Sequence, residues 1–158
     1  MTWPWTARIT AACGTGVHVL VGDQADPPTL RRWARESGGG FDVIVDDGGH
    51  TNRQLLTSFQ SLWPQLLPGG RYFMEDLHVG RHPIDGGGGS VPAVADVVQA
   101  WMRELAGRET RATPDAQKRW GAAFSSYPEY PLPADAAWLA CQPQACVLGK
   151  AAYAVGQS

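Results

Sequence analysis

The apolar positions of this chain fall into short runs of two kinds, and the two kinds alternate. Val17 to Val21 and Phe41 to Asp46 are continuous runs rich in β-branched residues. Such runs read as strands, and a continuous run, unlike an alternating one, predicts a strand covered on both faces, as in a parallel sheet. Between them, Asp26-Pro27-Pro28 reads as the cap and first turn of a helix. That helix runs over 29–36 with Leu30, Trp33 and Ala34 on one side, and Gly38-Gly39-Gly40 ends it. Thr51 and Gln54 have the spacing of a capping box. Leu55, Leu56, Phe59, Leu62, Trp63 and Leu66 then recur at helical spacing, with Pro64 tightening the last turn. Pro68-Gly69-Gly70 predicts a turn, and Arg71 to Asp76 a third strand. Two strand–helix–strand units joined by short links imply parallel strands and right-handed crossovers.

Gly80 to Ser90 is a glycine-rich loop, and Val91 to Leu105 a helix with Val94, Val97, Val98, Trp101, Met102 and Leu105 inside. Residues 107–133 show a weaker pattern, with a short helix expected over 114–124. Ala137 to Cys141 and Ala145 to Lys150, around Gln142-Pro143-Gln144, read as a closing antiparallel hairpin. The expected architecture is one α/β domain over 17–151 with a mostly parallel sheet. An irregular segment, 1–16, precedes it and a tail, 152–158, follows.

The composition suits a packed domain: 158 residues, 44% hydrophobic and 18% charged, with a formal net charge of −2. That balance gives no electrostatic case for nucleic acid or an anionic membrane as partner. No apolar run approaches the ~18–20 residues of a membrane span, and the first residues lack the apolar core of a signal peptide. Three cysteines, an odd number, argue against a disulfide framework. Cys141 and Cys146 could face each other across the hairpin, but two buried thiols are the expectation for an intracellular chain. The default compartment is the cytoplasm or an organelle matrix.

Candidate chemistry sits where the strands end. In open α/β sheets, ligands gather beyond the carboxyl ends of the strands. The first strand leads into Gly22-Asp23-Gln24, the second into Asp46-Asp47-Gly48-Gly49-His50, and the third into Glu75-Asp76-Leu77-His78. If the strands are parallel, Asp23, Asp46, Asp47, Glu75, Asp76, His50 and His78 converge on one rim. Carboxylates so close repel one another unless a cation neutralises them, and Mg²⁺, which takes oxygen ligands and retains waters, is the economical cation. His50, three residues after Asp47 and just before a helix, can serve the same cavity as a neutral base. Taken singly, Asp47 or His50 would more often be a cap or a turn residue; the combination points to a site.

The strings FDVIVDDGGHTN (41–52), LWPQLLPGG (62–70) and YFMEDLH (72–78), with VHVLVGDQAD (17–26) upstream, resemble the metal-dependent sugar O-methyltransferases of macrolide biosynthesis, the mycinamicin and macrocin type. The resemblance spans about residues 17–151. It implies a partial Rossmann-like, class I methyltransferase sheet and two cofactors, S-adenosylmethionine and Mg²⁺. It further implies that Asp47, Glu75 and Asp76 bind the metal and that His50 is the general base. Asp23 and Gln24 would border the adenine. Asp46 would lie near the methionine end of the cofactor or support the ligand shell, and His78 would be an outer or substrate contact. The implied reaction is methyl transfer to a hydroxyl of a sugar or natural product, assisted by the metal and the histidine.

One part of that pattern is expected to be missing. The family's domain opens with a strand, a glycine-rich cofactor loop and a second strand. Such a unit needs ~30 residues or more, and sixteen precede Val17. Gly14-Thr15-Gly16 follows no predicted strand and opens no helix. The sequence therefore reads as an N-terminally truncated form, a fragment of a longer enzyme or a short protein that lost cofactor binding or regains it by pairing. The sheet would then expose an apolar edge or face, through which the chain could oligomerise. The alternatives are a non-catalytic remnant that binds metal or a partner chain, and a metal-dependent hydrolase, for which no nucleophile motif or second ligand set is seen.

Overall fold

Helix α1, Pro27–Glu36, starts where the sequence says it should: the Asp26 carboxylate accepts the Thr29 N–H at 2.9 Å, and proline occupies the first turn. The computed structural model describes residues 19–82, 91–108 and 126–152. Strand β1, Phe41–Asp46, follows α1 after three glycines, all in left-handed backbone. Helix α2, Asn52–Leu62, opens on the full capping box of Thr51 and Gln54. Trp63–Gln65 then tightens into a 3₁₀ turn at Pro64.

Strand β2, Leu66–Met74, pairs parallel with β1. The expected turn at Pro68-Gly69-Gly70 is instead an irregularity inside this strand. Phe41 pairs with Leu66 and Val43 with Arg71, so β2 carries extra residues between the two pairings. Gly69, at φ 81, takes a conformation that side chains resist, and its N–H donates to Ala151 at 3.1 Å. Helix α3, Val94–Ala106, and strands β3, Ala136–Cys141, and β4, Cys146–Lys150, complete the described elements. The sheet order is β1-β2-β4-β3, with β2–β4 and β4–β3 antiparallel. This is a mixed α/β sheet; of the expected parallel character, the β1–β2 pair is the part these residues carry.

Helices α2 and α3 cover one face of the sheet. Leu55, Leu56 and Phe59 from α2 and Trp63 from the 3₁₀ turn meet Val97, Val98 and Trp101 from α3 over Tyr72, Met74 and Leu148. Phe59 stands edge-on to Tyr72, centroids 5.1 Å apart, and 4.7 Å from the Trp101 ring. Burying each such side chain contributes about 1.5–3 kcal/mol. The Trp101 indole N–H donates to the Tyr130 carbonyl at 2.8 Å, so the ring is buried without an orphaned donor. At the far end, Trp63 Nε1 donates to Asp135 at 2.8 Å and the Lys150 ammonium lies 3.3 Å from the same carboxylate. Burial pushes Asp135 up, but the Trp63 bond and Lys150 outweigh it and hold the acid below its ordinary range.

Three expectations need correction. Residues 19–21 make no ladder: Val21 is 68% exposed and its carbonyl accepts from Arg32 of α1. A strand without a neighbour has nothing to satisfy its backbone, and a side chain does so here. Second, β1 is not covered on both faces, since Val43 and Val45 are 49% and 56% exposed. A continuous apolar run records suitability for burial, not the presence of a covering layer. Third, Cys141 and Cys146 form a disulfide; they pair directly in the β3–β4 register, which brings their Cα atoms to 4.1 Å. The expected helix over 114–124, Gly14-Thr15-Gly16, residues 83–90 of the glycine loop and most of both flanking segments lie outside the described residues.

Candidate metal and base site

Because β1 and β2 are adjacent and parallel, their carboxyl ends open side by side, and the chain leaves them as Asp47–His50 and Glu75–His78. Donor atoms of Asp47, His50 and Asp76 all lie within 4.8 Å of one another. His50 Nε2 stands 3.8 Å from Asp47 Oδ1 and 3.6 Å from Asp76 Oδ2. His78 Nδ1 lies 3.9 Å from Asp76 Oδ1 on the outer side. The Glu75 carboxylate stands outside this cluster; its residue is fixed through its backbone N–H, which donates to Asp46 O at 3.0 Å.

The backbone around these residues is unusual. Among the described residues, His50 (φ 56) and Asp76 (φ 52) are the non-glycine residues at positive φ. The Thr51 N–H donates to Gly49 O at 2.8 Å, closing a three-residue turn around His50. Asp76 starts a turn closed by the Val79 N–H at 2.9 Å, and the next residue, Leu77, donates to Gln144 O in the hairpin turn at 2.9 Å. Left-handed backbone costs about 1–3 kcal/mol per non-glycine residue and persists where surrounding bonds over-determine it. Both site residues are held in that way.

Asp46 sits beside the cluster but turns inward. Its carboxylate is buried and accepts from Tyr72 Oη at 2.9 Å and from Gln24 Nε2. Burial raises its pKa to about 6; the bonds from Tyr72 and Gln24, the nearby Ser58 hydroxyl and the charge of His50 pull the other way. Gln24 Oε1 in turn accepts the Gly49 N–H at 2.9 Å. One side-chain amide thus ties the loop before α1 to the 46–49 loop. A Cβ on Gly48 would press on the Gln24 amide and one on Gly49 on the Gln54 amide, so a side chain at either position would displace that amide. Asp23 is exposed and caps its own turn, accepting the Ala25 N–H at 2.7 Å.

A cavity of about 390 Å³ opens between α1, β1 and α2, lined in part by Gln24, Trp33, Asp46, Asp47, Ser58 and Tyr72. Trp33 Nε1, Ser58 Oγ and His50 Nδ1 are buried atoms without a hydrogen bond of regular geometry among the described residues. Tyr72, Ser58, Trp33 and Asn52 were not legible as site residues in the sequence. For Tyr72 the signal was available: two residues before Met74, it shares the inward face of β2 with the partner of Asp46.

The chain was compared with known proteins. No family model matches it. Over 81 residues it is 42% identical to demethylmacrocin O-methyltransferase of Streptomyces fradiae, covering 51% of this chain and 20% of that protein. Over 67 residues it is 43% identical to 8-demethyl-8-alpha-L-rhamnosyl tetracenomycin-C 2'-O-methyltransferase of Streptomyces olivaceus, covering 42% of this chain and 18% of that protein. Among solved structures, MycE methyltransferase from the mycinamycin biosynthetic pathway, in complex with Mg and SAH, superposes with a TM-score of 0.63 at 26% identity. That superposition covers 85% of this chain and 33% of MycE. The resemblance read from the sequence is borne out over these stretches, and the fold is that of a methyltransferase-like α/β sheet. The chain spans about a fifth of the length of the curated relatives it matches.

Proposed function

We propose that this chain carries the metal-and-base centre of an S-adenosylmethionine-dependent O-methyltransferase whose acceptor is a hydroxyl of a sugar or related small molecule. The observation that supports this most is the meeting of Asp47, His50 and Asp76 donors within 4.8 Å, beyond the carboxyl ends of two neighbouring parallel strands. The donor chemistry fits Mg²⁺, which takes one or two carboxylates and keeps waters. Asp47 and Asp76 are assigned as its ligands. Glu75, which stands apart from them, is the third ligand that the resemblance implies.

Bound there, Mg²⁺ would supply Lewis acidity that makes a neighbouring hydroxyl more acidic, and S-adenosylmethionine would supply the methyl group. The protein's own contribution is proton removal and placement. His50 takes the hydroxyl proton on Nε2, a task worth typically about 10²–10⁴ in rate. Asp47 and Asp76 flank that nitrogen and orient it, and His78 supports Asp76 or meets the acceptor. Asp23 and Gln24 are assigned to the border of the adenine, where the cavity opens, and Asp46 holds the Gln24 amide that fixes this border.

Calorimetric titration of S-adenosylmethionine into the chain, with and without Mg²⁺, tests the reading. Binding that tightens with Mg²⁺ and weakens in Asp23→Ala with Gln24→Ala supports it. No heat under either condition removes the claim that this chain by itself binds the cofactor.

A second reading draws on the uncovered sheet face, where Val43, Val45 and Trp138 are each more than a third exposed. Apolar patches of that kind mark association surfaces. Here the chain binds metal or a partner chain without catalysing. It predicts metal binding without cofactor binding, and association that increases with concentration in sedimentation.

A further inference from the structure

We infer that Asn52 is a positioning residue for the Asp47–His50–Asp76 centre; the inference rests on the metal-and-base reading above. Asn52 is the first residue of α2, two after His50, and is buried. Its side chain spans two distant parts of the chain. Oδ1 accepts the Val94 N–H at 2.9 Å, and Nδ2 donates to the Gly80 carbonyl at 2.7 Å.

Each partner needs what Asn52 offers. Val94 opens α3, and Ala93 before it provides no side-chain cap, so the Val94 N–H is one of the orphan donors of a helix start. Gly80 lies in the 3₁₀ turn Val79–Arg81, four residues beyond Asp76 and directly after the turn that Asp76 opens. Asn52 thus caps α3 from another helix and holds the turn that follows Asp76, while its own backbone continues from His50. A single planar amide carries both donor and acceptor; a carboxylate or an alkyl group does not. The pairing also fixes which way the amide faces. A Cβ on Gly80 would press on Asn52 Oδ1, so a side chain there would displace the amide.

The consequence is geometric. His50 and Asp76 follow different strand ends, and their side chains approach to 3.6 Å. Asn52 ties the helix start beside one to the turn beside the other. Loosening it shifts the two donors relative to each other, and metal affinity falls steeply with such shifts.

The test uses Mn²⁺ as the probe, titrated into the full 158-residue chain and read by electron paramagnetic resonance. Asp47→Asn is the control for the centre itself. Asn52→Asp keeps the shape and the acceptor for Val94 but removes the donor to Gly80; Asn52→Ala removes both. Mn²⁺ binding is expected to weaken more than about 10-fold in Asp47→Asn and about 10-fold in Asn52→Ala, with Asn52→Asp weakened in the same direction. The Val94 amide should exchange at least about 10-fold faster in Asn52→Ala than in the parent chain as its bond is lost.

Should Asn52→Ala not fold, Asn52→Asp and Gly80→Ala, which presses on the same amide, carry the test. Loss of binding in Asp47→Asn with parental affinity in the Asn52 and Gly80 variants overturns the positioning role and leaves the metal reading standing. A lowered melting temperature with unchanged Mn²⁺ affinity does the same, because it marks a purely structural residue. Parental affinity in Asp47→Asn overturns the metal reading, and the inference with it.

Discussion

His50 Nε2 lies 3.6 Å from Asp76 Oδ2, and both residues hold left-handed backbone, at φ 56 and φ 52. They follow neighbouring parallel strands, His50 four residues beyond the end of β1 and Asp76 two beyond the end of β2. A histidine in this conformation pays for its placement in backbone strain. At His50, glycine should therefore be a better replacement than alanine. His50→Gly is expected to be about 1 kcal/mol more stable than His50→Ala, the reverse of the order at an ordinary extended or helical position. Urea midpoints of the two variants decide it, and a higher midpoint for alanine would show that the backbone relaxes once the imidazole is gone.

Asp46 should give the metal-free chain a distinctive acid profile. Its pKa rises from the ordinary 3.8 to about 6 through burial. The unfolded chain releases this proton near 3.8 and the folded chain keeps it to about 6, so the folded form binds more protons in that window. Stability contributed by protonated Asp46 is complete below about pH 4 and lost as pH rises to about 6. Asp46→Asn removes that loss and keeps an oxygen to accept from Tyr72. The stability difference, variant minus parent, should grow by about 2–3 kcal/mol between pH 4 and pH 6. Urea unfolding of both chains in chelator, at several pH values, measures it; a flat difference contradicts the assignment.

Reduction of the Cys141–Cys146 disulfide should destabilise the chain modestly. The loop it closes is short, so the entropy model gives about 2 kcal/mol. The hairpin turn also holds Leu77 through Gln144 O, next to Asp76. Urea unfolding with and without a reductant is expected to show a lower midpoint under reducing conditions, and an unchanged midpoint would mean the register alone holds the hairpin. Cys141→Ser with Cys146→Ser separates the bond from the reductant.

Gly48→Ala should act on the site without touching a donor. The new methyl would overlap the Gln24 amide, which bonds both Asp46 and the Gly49 N–H. Displacing it leaves a buried carboxylate short of a donor, at a cost of about 1–3 kcal/mol. Thermal melts should show that loss, and Gln24→Ala combined with Gly48→Ala should lose little beyond Gln24→Ala alone. Additive losses would place the strain elsewhere.

The sequence made local features legible and long-range ones obscure. Asp26, the Thr51–Gln54 box and the apolar stripe of α2 as far as Leu62 are set by neighbours within one turn, and the structure has each where the spacing put it; Leu66, expected at the end of that stripe, instead opens β2. That the residues leaving β1 and β2 come together was legible because parallel strands bring their ends side by side whatever the details of packing. Three features were not legible, and each depends on pairing or packing outside its own element. Cys141 and Cys146 bond because the hairpin register sets them opposite each other. Val43 and Val45 are exposed because no described element covers that face, which an apolar run does not reveal. Nothing local singles out Asn52, because its two side-chain partners lie 28 and 42 positions away. Glu75, which the motif sets beside Asp76, is not among the donors that lie within 4.8 Å of one another.

The central claim is that positions 47 and 76 hold one divalent cation beside His50. Its most direct measurement is a Mg²⁺ titration of the chain followed by calorimetry, with Asp76→Asn alongside. The account predicts one site in the parent chain and affinity at least about 10-fold weaker in the variant, where an anionic ligand becomes neutral. Equal affinity in the two, or no binding in a folded parent chain, would contradict it.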